Sequence, residues 1–375
     1  MIIHQPIRLG MVGGGTGAMI GGVHRIASRL DNAFTLVAGA LSSTPERNAA
    51  SAAEVGIDPS RTYDDYTDMA KAEAARDDGI EAVSICTPNF LHFPVAKAFL
   101  EAGIHVICDK PMTSTLEDAR ELARIAEGAD ALFVLTHNYS AYPQIRLARE
   151  MVARGDIGAL RLVQVEYAQD WLAEPSDGKQ AEWRGDPARA GAGGAIGDIG
   201  THAYQLARFV SGEAPQRLLA DLTSFVPGRK VDDNAQVLLR YASGAKGSLW
   251  CSQVAPGTEN GLAFRIYGDK GGLEWSHRTP ETLTYTVLNQ PAQILRRGAQ
   301  TMAGSRVPPG HPEGFLEGFA NIYGDAAKAI RANRHGEVTD TLLPGIRDGI
   351  EGLEFIDACV RSAADGNTWT EVHNG

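Results

Sequence analysis

The run Gly13-Gly14-Gly15-Thr16-Gly17-Ala18 follows directly on the apolar stretch Ile7-Arg8-Leu9-Gly10-Met11-Val12 and opens a segment, about 18–30, that reads as helix. A strand feeding a glycine turn into a helix N-terminus leaves few folds open. Small residues let the backbone approach a pyrophosphate, and the free N–H groups of the helix, with its dipole, favour that charge. The spacing fits G-x-G-x-x-A through Gly13, Gly15 and Ala18, which makes the whole stretch Gly13–Ala18 the candidate dinucleotide cradle.

The rest of the first third alternates strand and helix signals. Near-continuous apolar runs at 34–41, 80–86, 104–108 and 131–135 suit strands buried on both faces of a parallel sheet. Helical patterns begin at Thr44-Pro45-Glu46 and cover 94–102 and 116–127. Residues 1–136 are therefore expected to form a doubly wound α/β Rossmann domain. After a helix over about 143–154, strand-like segments at 160–169, 216–225, 234–241, 246–254, 262–268 and 283–288 follow, with turns at Ser243-Gly244 and Asp269-Lys270-Gly271-Gly272. Residues 137–375 then form an α+β domain with a large, mainly antiparallel sheet, one face covered by helices near 198–211, 313–333 and 343–364. Its other face is expected to be covered by self-association into a homodimer or homotetramer. The stretch 289–312 reads as a long loop.

A net charge of −11 argues against nucleic-acid or anionic-membrane partners, and no apolar run of about 18 residues predicts a membrane span. Cys86, Cys108, Cys251 and Cys359 show no C-x-x-C spacing and read as buried free thiols. With no signal-peptide pattern at the start, the expected location is cytoplasmic.

Ligands of open α/β sheets sit beyond the carboxyl ends of the strands. The second run ends in Ser42-Ser43 without the acid that would hold an adenosine ribose, and Arg47 follows. Hydroxyls and a guanidinium suit a 2′-phosphate, so NAD and NADP both stay open. Thr87-Pro88-Asn89 with His92 is placed to meet the nicotinamide-ribose half. Asp109-Lys110-Pro111 ends the next strand, where the lysine can stabilise an alkoxide as a hydride leaves. Farther on, Gly193-Gly194-Ala195-Ile196-Gly197-Asp198-Ile199-Gly200-Thr201-His202 puts Asp198 and His202 four apart on one helix face. Histidine titrates near neutrality, and a neighbouring carboxylate can orient it as a base. The same pieces admit three blander readings: a second phosphate loop, a metal pair without a full ligand set, or Asp198 as a helix cap. No metal site is expected.

Together the glycine turn, Thr87-Pro88-Asn89 with His92, Asp109-Lys110-Pro111 and Asp198-x-Gly200-x-His202 closely resemble the glucose–fructose oxidoreductase/inositol dehydrogenase/MocA (Gfo/Idh/MocA) family over nearly the whole chain. The family's usual tripeptide is Glu-Lys-Pro, so Asp109 is a mild departure that leaves the lysine intact. The resemblance implies that Lys110, Asp198 and His202 face the nicotinamide across a cleft between the domains. His202 would be the general base, Lys110 the electrostatic partner of the carbinol oxygen, and Asp198 a substrate ligand and orienter.

A narrower resemblance points to the branch acting on glucosides and related sugars, including 3-dehydrogenases. It rests on Glu166-Tyr167 with Gln169-Asp170-Trp171, Trp183-Arg184-Gly185-Asp186-Pro187, Gln253 with Glu259-Asn260-Gly261, and His311-Pro312-Glu313-Gly314. Tyr139, Gln169, Trp171, Trp183, Arg184, Asn260 and His311 are accordingly candidate sugar contacts, and Asn138 a cofactor contact. Amides, guanidinium and imidazole grip hydroxyls, while an indole offers a face to the ring. The expected activity is NAD(P)-dependent hydride transfer at a CH–OH of a sugar, glycoside or polyol. An NAD-retaining glycosidase that works by transient oxidation and elimination is the alternative, and a non-enzymatic cofactor sensor would be expected to lack Lys110 and His202.

Overall fold

In the computed structural model, which describes residues 5–174, 191–298, 304–337, 339 and 341–372, the apolar runs of the first third become five parallel strands. These are β1 (Ile7–Gly13), β2 (Phe34–Ala40), β3 (Ala82–Cys86), β4 (His105–Cys108) and β5 (Phe133–Leu135), in the order β2-β1-β3-β4-β5. Every residue of β3, β4 and β5 is buried, as strands packed between helical layers must be. Helices α1 (Met19–Leu30), α2 (Pro45–Val55), α3 (Tyr66–Ala74), α4 (His92–Glu101) and α5 (Leu116–Gly128) make the crossovers. The chain leaves β1 for β2 on one side and returns to β3 on the other. Their carboxyl ends flank the switch point where such sheets take ligands.

The chain clusters into two compact units, one running to Asn138 together with Phe315–Ile350, the other spanning Tyr139–Gly314 and the residues from Glu351. The second unit opens with α6 (Pro143–Arg154) and is built on nine strands. They are β6 (Leu160–Ala168), β7 (Pro215–Thr223), β8 (Asn234–Tyr241), β9 (Lys246–Ser252), β10 (Gly261–Gly268), β11 (Gly271–Ser276), β12 (Thr282–Val287), β13 (Gln293–Arg296) and β14 (Thr370–Glu371), in the order β13-β12-β11-β10-β6-β9-β8-β7-β14. The meander β7-β8-β9 brings β9 back beside β6 in the same direction, which makes this the one parallel pair in an otherwise antiparallel sheet. Alternation decides the faces: Val163, Val165 and Tyr167 are buried, whereas Leu162 and Gln164 are exposed. On the buried side lie α7 (Thr201–Ser211) and most of α9 (Ile346–Ala364), whose Phe355 stacks on Tyr204 at 4.4 Å and whose Ser362 hydroxyl accepts from the Ala220 amide.

Three expectations need correction. Gly271 and Gly272 belong to β11 and not to the turn; a Cβ at Gly272 would lie 2.4 Å from the Tyr267 ring, so the glycine makes room within the sheet. The 289–312 stretch contains the edge strand β13, mostly exposed and hence without a buried period to read. The helix read over 313–333, α8 (Phe315–Asn333), belongs to the first unit, where it packs on α1. Its stripe of Phe319, Ile322, Tyr323, Ala326 and Ile330 shows that one face is buried, but an apolar stripe does not say against what.

Candidate active site

The glycine turn is shaped by contacts that admit no side chain. Gly13, Gly14 and Gly17 have φ of 74°, 71° and 83°. A Cβ at Gly13 would come within 2.8 Å of the Cys86 carbonyl, and one at Gly15 within 2.7 Å of both the Leu41 carbonyl and the Ser51 hydroxyl. The Gly15 amide donates to Leu41 O at 3.2 Å and the Thr16 amide to Ser51 Oγ at 3.1 Å, so the turn is fastened to the end of β2 and the middle of α2. Helix α1 has no acidic residue in its first turn, and its cap, Ala18, offers no side-chain acceptor. Those amides therefore match an anion supplied from outside the chain. A tighter approach than at Gly13 or Gly15 falls at Gly21, where a Cβ would stand 2.2 Å from Gly14 O. Gly21, outside the Gly13–Ala18 motif, thus lets α1 settle against the turn.

At the end of β2, Ser42 is half-buried, and Ser43 and Arg47 are exposed. The neighbouring Asn48 is buried; its side chain accepts from the Leu41 amide and donates to Tyr63 O. Beyond β3, Thr87, Pro88 and Asn89 are half-buried. His92 takes a different part from the direct cofactor contact expected. It is buried, and its Nδ1 and Nε2 lie 2.6 Å and 2.9 Å from the carbonyls of Pro111 and Thr87, so it ties two strand-end loops together. Asp109 and Lys110 follow β4. Burial opposes ionisation of Asp109, but contact with His24 and the charge of Lys110 outweigh it and hold the carboxyl at about 2. His137 and Asn138, past β5, are buried; burial and the Lys110 charge push the His137 imidazole down to about 3.

In the second unit, a wide π turn, Ile196–Gly200, leads into α7. The glycines ahead of it form no phosphate loop. Asp232 accepts from the amides of Gly194 (2.7 Å) and Ile196 (2.8 Å), and a Cβ at Gly194 would stand 1.9 Å from Asp232 O. Burial lifts the Asp232 carboxyl to about 6 against the pull of these bonds. Gly200 keeps the helix close to β9, where a Cβ would meet Cys251 Sγ at 3.1 Å. Asp198 does not act as the helix cap. Its carboxylate accepts from the Gln253 amide at 2.9 Å.

His202 is buried, with the Tyr139 ring edge-on at 5.1 Å and Tyr167 at 6.0 Å. These tyrosines belong to a polar network. Their hydroxyls are 2.8 Å apart, Tyr167 donates to Asn260 Oδ1 at 2.6 Å, and the Gln169 amide donates to the same oxygen at 3.1 Å. Burial raises both phenols above their ordinary range, which keeps them neutral. Asn260 Nδ2 lies 3.1 Å from His277 Nδ1, and His277 Nε2 3.2 Å from the Tyr142 hydroxyl. Burial lowers the His277 pKa against a backbone contact with Asn260 that raises it.

Of the sugar-contact candidates, Tyr139, Gln169, Asn260, Asp198 and His202 thus share the second unit with this network. Trp171 is exposed and donates to Gln169 Oε1 at 3.0 Å. His311 is exposed; its carbonyl accepts from buried Arg297, which also pairs with Glu281 and Glu313. Trp183 and Arg184 lie outside the described residues. Tyr142 and His277 were not read from the sequence as site residues, because nothing in their spacing ties them to Asn260. All four cysteines are buried free thiols, and among the described residues no group of three His, Cys, Asp or Glu side chains is placed to hold a metal.

A parallel nucleotide-fold sheet with a glycine-built anion cradle, in a chain whose second unit carries Asp198 and His202, defines an oxidoreductase with an NAD-binding Rossmann fold. Residues 7–137 match the family description "Oxidoreductase family, NAD-binding Rossmann fold", and residues 145–274 match the GFO/IDH/MocA C-terminal domain. The chain belongs to the Gfo/Idh/MocA family. It is similar to an oxidoreductase from Sinorhizobium meliloti (56% identity, 98% of this chain and 99% of that one, TM-score 0.90). An inositol dehydrogenase homolog from Azotobacter vinelandii, solved with NADH and myo-inositol, is 36% identical over 98% of both chains with a TM-score of 0.92. A levoglucosan dehydrogenase from Pseudarthrobacter phenanthrenivorans is 30% identical over 98% of each chain.

Proposed function

We propose that this protein is an NAD(P)-dependent dehydrogenase that oxidises a CH–OH group of a sugar, polyol or glycoside. The observation that carries the reading is the likeness, over 98% of both chains, to the Azotobacter protein solved with NADH and myo-inositol. The similar levoglucosan dehydrogenase supports the same substrate class, and C3 of a glucoside is the position favoured by the narrower motif resemblance.

The bound nicotinamide supplies the hydride acceptor. Gly13–Ala18 and the first turn of α1 bind its diphosphate, with Thr87, Pro88, Asn89, Asp109 and Asn138 lining the nicotinamide side. His202 takes the hydroxyl proton as the carbinol carbon gives up its hydride, so the alcohol loses both hydrogens and becomes a carbonyl. The Lys110 ammonium offsets the charge that develops on the oxygen. Asp198, oriented by Gln253, accepts from a substrate hydroxyl. Tyr139, Gln169 and Asn260, with Trp171, Trp183, Arg184 and His311, receive the remainder of the sugar. Ser42, Ser43 and Arg47 accommodate a 2′-phosphate.

We also assign the open face of the nine-stranded sheet to self-association. A groove there is lined by Gln164, Glu166, Gln236, Trp250 and Arg265, with Leu162 and Leu238 exposed on the same sheet. Light scattering at micromolar concentration tests this, and a monomer would contradict it. Four free thiols fit a reducing cytoplasm. No helix of the described residues is long and apolar enough to cross a membrane.

The activity is tested by offering monosaccharides, polyols and glucosides with NAD or NADP and following nicotinamide absorbance. Reduced cofactor accumulating in step with oxidised sugar is expected. Aglycone release without it would contradict the reading.

A further inference from the structure

We infer that the wholly buried His24 and the half-buried Asp109 form an ion pair that fixes the turn carrying Lys110, which makes His24 a positioning residue for the dehydrogenase reaction proposed above, on whose reading this rests. His24 lies on α1, just beyond the glycine turn, and is wholly buried. Its Nδ1 is 2.8 Å from the Tyr323 hydroxyl and 3.1 Å from Ser84 Oγ. The Tyr323 hydroxyl donates to Ser84 at 3.0 Å, so its oxygen is left to accept and Nδ1 carries a proton. Nε2 faces Asp109 Oδ1 at 3.9 Å. A lone pair aimed at a carboxylate would be repelled, so this nitrogen is protonated too. Two protonated nitrogens make an imidazolium.

The surroundings agree. Burial works against the His24 charge, yet Cys86, Tyr323 and Asp109 raise its pKa well above the ordinary value. Phe319 closes the pocket edge-on at 5.1 Å. On the Asp109 side, Lys110 adds positive potential, and Thr136 donates to Oδ1 at 3.0 Å. His92 itself is pushed towards neutrality by burial, as is His137. The carboxylate is therefore held from the end of β5 by Thr136 and from α1 by His24, one residue before Lys110. Tyr323 brings α8 into the same cluster, so the glycine-turn helix, the lysine turn and a helix about 300 residues along the chain share one charge pair.

The test uses the full-length protein with ring-labelled histidine, the His24 resonance being assigned by its loss in His24→Gln. In the wild type His24 stays charged through neutral pH. In Asp109→Asn its protonation constant falls at least about tenfold, and Asp109→Glu restores it. On the same variants, kcat falls about tenfold or more in Asp109→Asn while substrate KM stays within about twofold, and Asp109→Glu recovers kcat. A His24 that is neutral in the wild type, or that titrates alike in wild type and Asp109→Asn, would overturn the pair. An unchanged kcat in a folded Asp109→Asn would overturn the positioning role. Because the titration needs no turnover, a wild type without dehydrogenase activity would strike only the functional reading.

Discussion

The cofactor end of the first unit and the Asp198–His202 end of the second solve the same problem by opposite means. In the first, position comes from the backbone: strand ends, left-handed glycines, and carbonyls too close for any Cβ. In the second, it comes from side chains of distant sequence, with Asp232 holding the turn, Gln253 holding Asp198, and Tyr167 and Asn260 tied into the network around Tyr139. A diphosphate has the same shape in every nucleotide and suits an unvarying backbone cradle. Sugars differ by single hydroxyls, and a side-chain network can be changed one group at a time without altering the fold.

The contrast can be broken in order of expected effect. Gly21→Ala should cost about 3 kcal/mol of stability in urea unfolding and weaken NAD binding, since its Cβ would meet the Gly14 backbone at 2.2 Å. A neutral outcome would mean that the turn is not backbone-built. Asp232→Asn should act through pH. With the folded-state carboxyl lifted to about 6, the folded protein keeps this proton to higher pH than the unfolded chain. Its contribution to stability is thus full at low pH and declines by about 1–3 kcal/mol as pH rises towards and through 6. Urea midpoints across that window should slope less in Asp232→Asn, and parallel slopes would count against it. Arg47→Ala, at an exposed position, should weaken NADP about fivefold and leave NAD unchanged. Equal effects on both would remove Arg47 from the cofactor site.

The same contrast explains what the sequence discloses. The glycine turn, the strand-end residues and the Asp198–His202 spacing are local patterns with a chemical reason, and they could be read directly. Gly21 escaped because the contact that requires it is made only when α1 closes on the turn. His24 and Tyr323 meet across nearly the whole chain, so no window contains both. His92 looks like a ligand in its motif, whereas its two backbone carbonyl contacts appear only in three dimensions. The short helix α3, capped by Asp65 through the Thr67 and Asp68 amides, is only weakly amphipathic, which left it without a clear period.

The central proposal is that Lys110 and His202 act on one carbinol. A double-mutant cycle on kcat/KM tests it most directly. Lys110→Ala and His202→Ala should each cost about a hundredfold or more, and the double variant should lose little beyond the worse single one, because groups serving one transition state fail together. Losses that multiply in full would mean that the two side chains act independently, and would contradict the account.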